Sequence, residues 1–393
     1  MRRHLGINGN LPLCVVAIAA ALSVAAAGPS FAEIKVGISA PATGVGAAFG
    51  VPMMKAVKLL PKEIDGQHVE YITLDSNTDA TRAAANARKL VSEDHVDVLI
   101  GDSTTPATLA MVTVAADSKT PLIAPAAPAI LVEPMNAVHR WIFKVVPNDN
   151  IGARTIIRYM VHLKVKTLGF IGFNDAYGEG WLDLLKKMLP AHHIKIVDTE
   201  FYNRTDTSVT AQALKLTVAH PDAVFVASGG TPAIVPAHDL RARGYKGPIL
   251  QTHGVSTPVF INRGGKDVDG TVFAGEPFII AKDLPDSSPF KKPALDFIAR
   301  YKAMYGKVPP IMAANMLDAV TLLAAAVPTA LKDGKPGTAA FRAGLRDGME
   351  HVKDLYLSNG LLTNTPQNHA GFDPRGSFLV EVKDGGFHLL KLK

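Results

Sequence analysis

Short apolar runs and amphipathic stretches alternate along this chain in a regular rhythm. From Glu33, EIKVGISA predicts a strand, residues 47–64 a helix, and VEYITLDS a second strand. Residues 78–92 predict a helix, VDVLIGD a strand, 105–117 a helix and PLIAPA a strand. The strands are short, β-branched and nearly all apolar, as parallel strands buried on both faces should be. Alternation of this kind builds a sheet covered by helices on both sides.

The rhythm then restarts. After WIFKVVPNDN, residues 151–163 predict a helix, KTLGFIGF a strand, 180–189 a helix and IKIVDTEFY a strand. A helix over 208–219, the strand AVFVASG, a helix over 233–243 and the strand PILQTHG complete the series. It repeats the first in order and length, so the expectation is α/β: two similar doubly wound parallel-sheet lobes. TVFAGEPF is a candidate return to the first lobe. Helices over 293–305, 313–331 and 338–346 follow, the second Ala- and Leu-rich and suited to burial, and then the strands SFLVEVKDG and FHLLKLK.

Composition changes the picture at one end. The chain has 393 residues, 48% hydrophobic and 19% charged, which suits a globular protein of two ordinary domains. Residues 1–32 stand apart. MRRH is basic, LPLCVVAIAAALSVAAA is apolar but short for a membrane span, and Ser30-Phe31-Ala32 places small residues where a signal peptidase reads. A secretory signal cleaved after Ala32 is expected, with a periplasmic product. Cys14 is the only cysteine. Leu13 precedes it and the apolar core follows it, against the order a lipoprotein needs. Beyond residue 32 there is no thiol for a disulfide, a nucleophile or a zinc site.

The formal charge is +6, two of the positive charges being Arg2 and Arg3. Lys and Arg are scattered and form no basic cluster interleaved with aromatics, so a nucleic-acid partner is not expected. Enzyme signatures are sparse. ATGVGAAFG and DAYGEGW each carry a glycine pair, but Phe49 and Asp183 stand where a dinucleotide loop needs its third glycine. No Walker loop, G-x-S-x-G elbow or H-E-x-x-H occurs, and adjacent His192 and His193 point apart on a helix or a strand. Asp75, Asp102 and Asp175 end strands without forming a readable acid–base pair. Neither catalytic residues, nor a metal, nor a cofactor is expected.

The loops after the strands carry the remaining chemistry. Ser103, Thr104 and Thr105 follow VDVLIGD just ahead of a helix. They either cap that helix or hold a carboxylate at its N-terminus. Ala126, Ala127 and Pro128 form a tight loop after PLIAPA, and the second lobe adds Tyr177, Ser228, Gly229 and His253 at comparable places. Ligands of open α/β sheets bind outside the carboxyl ends of the strands, and two such edges facing each other make a cleft.

A leader, then EIKVGISAPATGVGAAFG, IGDSTTPATLA, PLIAPAAPAILVEP and DAYGEGW, resembles a periplasmic solute-binding protein of the branched-chain amino acid ABC importer class, the leucine-binding protein family. The resemblance covers nearly all of the chain beyond residue 32. It implies a type I periplasmic binding fold, with a three-segment hinge joining lobes of 33–147 plus 277–362 and 148–276 plus 363–393. It also implies a small-molecule ligand bearing a carboxylate, an ABC-importer permease as partner, a monomer, and no catalysis. By position, Ser103, Thr104 and Thr105 match the loop that grips the ligand carboxylate. Ala126 and Ala127 match backbone that meets the ligand, Phe49 an aromatic covering the cleft, and Tyr177 the tyrosine of the family's QYGEG. Phe173 and Phe278 are further candidates for apolar walls or plain core. Two departures bear on the ligand. Pro128 replaces a threonine, and His253 stands where amino-acid binders place a glutamate against the α-ammonium. The expected solute is a branched-chain amino acid or an aromatic acid; an ammonium buried without a counter-charge is costly, so His253 favours a carboxylate lacking that group, such as an aromatic acid, unless it merely packs or caps. An α/β enzyme and a ligand sensor are the competing readings.

Overall fold

The computed structural model describes residues 1, 2, 4 and 33–392; the expected leader lies almost wholly outside them. Two sheets form as the two apolar series predict. The first contains β1 (Ile34–Ala40), β2 (Glu63–Ile64), β3 (Gln67–Asp75), β4 (Val98–Gly101), β5 (Leu122–Ala124) and β6 (Ile142–Lys144), in the order β2-β3-β1-β4-β5-β6. The second contains β7 (Thr167–Phe173), β8 (Lys195–Tyr202), β9 (Ala223–Ala227), β10 (Ile249–Gln251) and β11 (Val272–Gly275). After a two-stranded ribbon, β12 (Leu355–Leu357) and β13 (Gly360–Leu362), the chain adds β14 (Phe378–Lys383) and β15 (Gly386–Leu389) to it, giving β15-β14-β11-β10-β9-β7-β8. Most pairs are parallel, as a crossover through a helix requires; β2, β14 and β15 pair antiparallel at the edges.

The helices are α1 (Ala47–Ala56), α2 (Ala80–Ser92), α3 (Thr105–Asp117), α4 (Asp149–His162), α5 (Ala176–Met188), α6 (Thr210–Val218), α7 (Ile234–Ala242), α8 (Pro258–Gly264), α9 (Lys291–Tyr305), α10 (Ile311–Asp333) and α11 (Ala339–Glu350). One apolar cluster unites β7–β11 with α4–α8 and the final strands. Two further clusters cover the two faces of the first sheet, one of them with α10 and α11. α10 is apolar and mostly buried, because it packs against both α1 and α11.

Several elements differ from expectation. α1 ends at Ala56, and residues 63–64 instead pair with β3 as a hairpin. α5 starts at Ala176, within the stretch read as a loop, because Asp175 accepts the Tyr177 N–H at 2.8 Å and caps it. β11 belongs to the second sheet, so the return to the first unit follows it. Residues 363–372 stay with the first unit: His369 stacks on Phe143 with centroids 4.2 Å apart, and Phe372 joins the cluster under β1. These contacts lie past residue 362, where the expected boundary falls.

Candidate functional site

In the first sheet the strand order reverses between β1 and β4, and in the second between β7 and β9. Such switch points leave a crevice outside the carboxyl ends of the strands. Here both crevices open into one chamber, with about 460 Å³ of atom-free space when the solvent at its mouth is included. The first unit contributes Phe49, Ser103, Thr104, Thr105 and the loop 125–128. The second contributes Phe173, Tyr177, Arg204, Gly229, His253 and Gly254. Nine of the ten residues expected from sequence thus line it. Ser228 does not: it is fully buried beneath Gly229, with its carbonyl accepting the Thr252 hydroxyl at 2.6 Å. Phe278 packs on Phe297 in the first unit's core instead of walling the chamber.

The first wall is built on a buried acid. Asp102 accepts hydrogen bonds from the Ser76 hydroxyl at 2.6 Å, the backbone N–H groups of Ser103 at 2.7 Å and Thr104 at 3.0 Å, and the Thr104 hydroxyl at 3.2 Å. Burial raises its pKa, and these donors partly offset that. The loop is therefore rigid, and its first two N–H groups are turned inward. What faces the chamber is the Ser103 hydroxyl, buried without a protein partner, and the start of α3 at Thr105. First-turn N–H groups of a helix lack intrahelical partners and favour an anion.

The loop of Ala126 and Ala127 is held from behind. Lys144, fully buried at the end of β6, donates to the carbonyls of Ala127 and Pro128 and to Asn148 Oδ1. Asn148 in turn donates to Glu133 at 2.9 Å. The Ala127 carbonyl is thus engaged by protein.

The second wall depends on a close approach. A Cβ on Gly178 would stand 2.0 Å from the Phe173 carbonyl oxygen, so only glycine lets the first turn of α5 rest on the end of β7. That places Tyr177 with its hydroxyl buried and unpartnered. Burial first, then the charge of Asp149, pushes this phenol's pKa well above its ordinary value, keeping it a donor. Arg204 donates from Nε to Asp175 at 2.6 Å and lays its guanidinium 4.1 Å above the Phe173 ring. Gly229 offers bare backbone, against which the tip of Phe49 rests from across the cleft.

His253 closes the rear. Its Nδ1 is 4.0 Å from Asp149 Oδ1, which has no hydrogen-bond partner. Burial, reinforced by the charge of Lys144, pushes the imidazole down to about 4, so it is neutral at neutral pH. Among the described residues, Arg204 is then the charged one lining the chamber, and no Asp or Glu lines it. Among the described residues no three His, Cys, Asp or Glu side chains meet as metal ligands. Sequence reasoning missed Arg204, Val146, Met312 and the support from Lys144. Arg204 had a signal, since it follows β8 as the other site residues follow their strands.

Against known proteins, the profile of a family described as periplasmic binding protein matches residues 33–386. An extracellular ligand-binding receptor from Rhodopseudomonas palustris HaA2, solved by crystallography, is 51% identical. It superposes with a TM-score of 0.89 over 91% of this chain and 100% of its own. A Leu/Ile/Val-binding protein homolog 3 of Brucella melitensis is 27% identical over 345 residues, 82% of this chain and 89% of that protein. An ABC transporter solute binding protein of R. palustris, solved in complex with benzoate, shares the fold at 22% identity, with a TM-score of 0.77 over 92% of this chain and 96% of its own.

Proposed function

Because the chain belongs to the periplasmic binding protein family, we propose that it captures a small carboxylate-bearing apolar solute between its two units and delivers it, closed, to the permease of an ABC importer. The observation that carries this reading is the charge of the chamber. The start of α3 supplies positive potential, Arg204 adds to it beside its Asp175 partner, the Ser103 and Tyr177 hydroxyls wait without partners, and no carboxylate is among the described residues lining the walls. Phe49, Phe173, Val146 and Met312 supply apolar surface. A carboxylate is served by such walls. An α-ammonium is not, because His253, at the position where amino-acid binders place a glutamate, is neutral, and no Asp or Glu is among the described residues lining the chamber. The reading involves no chemical step.

One lobe would comprise 33–147 with 277–372, the other 148–276 with the remainder, hinged at the three crossings. Export would rest on cleavage after Ala32. The ligand stabilises the closed form only by binding it better than the open one.

Calorimetric titration with benzoate, 4-methylpentanoate and leucine tests the ligand class; the second is leucine without its ammonium. We expect the two plain acids to bind and to raise thermal stability, by about 2.7 kcal/mol at a hundredfold excess over Kd. Tight binding of leucine with no binding of either acid would overturn the reading.

A further inference from the structure

Behind the chamber lies a second, smaller cavity, walled by the crossings themselves: Pro147–Asp149, Gly275–Glu276 and Gly376–Ser377. His253 is the one residue that lines both cavities. Resting on the anionic-solute reading above, we propose that solute binding draws a proton from water onto His253, so that the receptor takes its ligand as an anion together with a proton.

The surroundings of His253 set this up. On the chamber side it meets the space where the solute sits, with Tyr177 and Arg204 on the same wall. On the hinge side Asp149 Oδ1 lies 4.0 Å from Nδ1 and is buried without a hydrogen-bond partner. Glu276, from the second crossing, lines the same rear cavity with an unpartnered Oε2, and burial pushes its pKa up to about 8, which keeps it protonated. Beyond Asp149 are Lys144 and, through Asn148, Glu133. His369 lies past Lys144 and is turned away, its Nδ1 against the Ile142 carbonyl at 2.8 Å. Burial lowers the proton affinity of Lys144 and raises that of Asp149, while each partner's charge opposes the change, so the charge of one is tied to that of the other.

In the empty site burial, with the repulsion of Lys144 added, outweighs the nearby Asp149 and keeps His253 neutral. An anion in the chamber changes the balance. With the Lys144–Asp149 pair ionised, charges then alternate from neighbour to neighbour: solute negative, His253 positive, Asp149 negative, Lys144 positive. A unit charge about 4 Å away, in an effective dielectric of about 20, shifts a proton equilibrium roughly a thousandfold. That carries the imidazole into the neutral range. The proton arrives while the cleft is open, and closure seals it in.

The test is titration calorimetry of the leader-free protein with benzoate and with 4-methylpentanoate from pH 5.5 to 8. Each pH is run in two buffers of different ionisation heat. Benzoate is almost fully ionised above pH 5.5; 4-methylpentanoic acid, a weaker acid, still titrates at the low end of the range, and its own proton exchange is subtracted there. We expect uptake approaching one proton near pH 6, and a Kd that rises up to about tenfold per pH unit where the proton is taken. His253→Gln should bind more weakly at low pH and lose both the buffer dependence and the slope. A ring with a merely structural role would, when replaced, weaken binding equally at every pH and leave the slope intact. Buffer-independent heats with a flat Kd, or a slope retained in His253→Gln, would overturn the inference while leaving the anion reading standing. No binding of either acid at any pH would bring down both.

Discussion

A single methyl group at Gly229 should hold the receptor open. The glycine lies where the second unit's backbone meets the Phe49 ring of the first. A Cβ built there stands 3.1 Å from Phe49 Cζ and 3.2 Å from Gly254 Cα and its carbonyl oxygen. Carbon atoms rest comfortably at about 3.5–4.0 Å, so both neighbours must yield by a few tenths of an ångström. Overpacking of this size costs about 1–3 kcal/mol. The two contacts act differently. Gly254 belongs to the same unit, so its share is present open or closed and lowers the thermal midpoint of the unliganded protein. Phe49 comes from the other unit, so its share falls on the closed form alone. If one to two kcal/mol of the cost is closure-specific, Gly229→Ala binds roughly 5- to 30-fold more weakly. Calorimetry with the tightest of the tested acids reads the affinity, and small-angle scattering with saturating acid reads whether the two units still close. Phe49→Leu removes the ring tip and should restore part of the loss, a coupling that a double-mutant cycle isolates. Affinity within twofold of wild type in Gly229→Ala, or strictly additive effects in the cycle, would refute the idea that this contact gates closure.

Two further substitutions separate binding from folding. Tyr177→Phe removes a buried hydroxyl that has no partner in the empty site. It should leave the unliganded thermal midpoint unchanged or raised while weakening acid binding by roughly 10- to 100-fold, the worth of a hydrogen bond to a charged group; equal losses in both measurements would show that the hydroxyl serves the fold. His253 bears on acid stability: its folded pKa, near 4, lies below its ordinary value of 6.5. The unfolded chain therefore takes up a proton that the fold refuses, and the stability the neutral ring contributes above pH 6.5 is lost as pH falls through 4. Denaturant melts of wild type and His253→Gln should diverge over that window, wild type losing up to about 3 kcal/mol more; parallel pH profiles would contradict the buried, neutral ring.

The architecture was legible because buried parallel strands announce themselves locally. VDVLIGD and AVFVASG need no partner to be recognised, and their loops inherit the strand-end position that makes a site. Where local signals conflicted, the expectations slipped. Gly178 and Gly180 suggested a loop, yet the Asp175 cap starts α5 ahead of them, and Gly178 is there for its closeness to β7. The ribbon β12–β13 is two three-residue strands with no pattern long enough to detect. Lys144 was invisible because WIFKVV gives no hint that its lysine turns inward; the carbonyls it binds lie 16 and 17 residues away along the chain. Ser228 failed for the opposite reason: it has the right strand-end place, but its side chain is buried below the loop, leaving Gly229 to reach the chamber.

The grip of Lys144 on two carbonyls also shapes how this receptor can diversify. Ser103, Pro128 and Tyr177 hang on frames completed by other atoms, so lineages can trade them and drift toward new solutes one residue at a time. Lys144 has no such freedom: the same ammonium holds the loop of Ala127 and Pro128 and grasps Asn148 where the chain passes from the first sheet to the second. A change there would disturb what is bound and how the jaws swing in one stroke, which makes it the position where inherited preference resists revision.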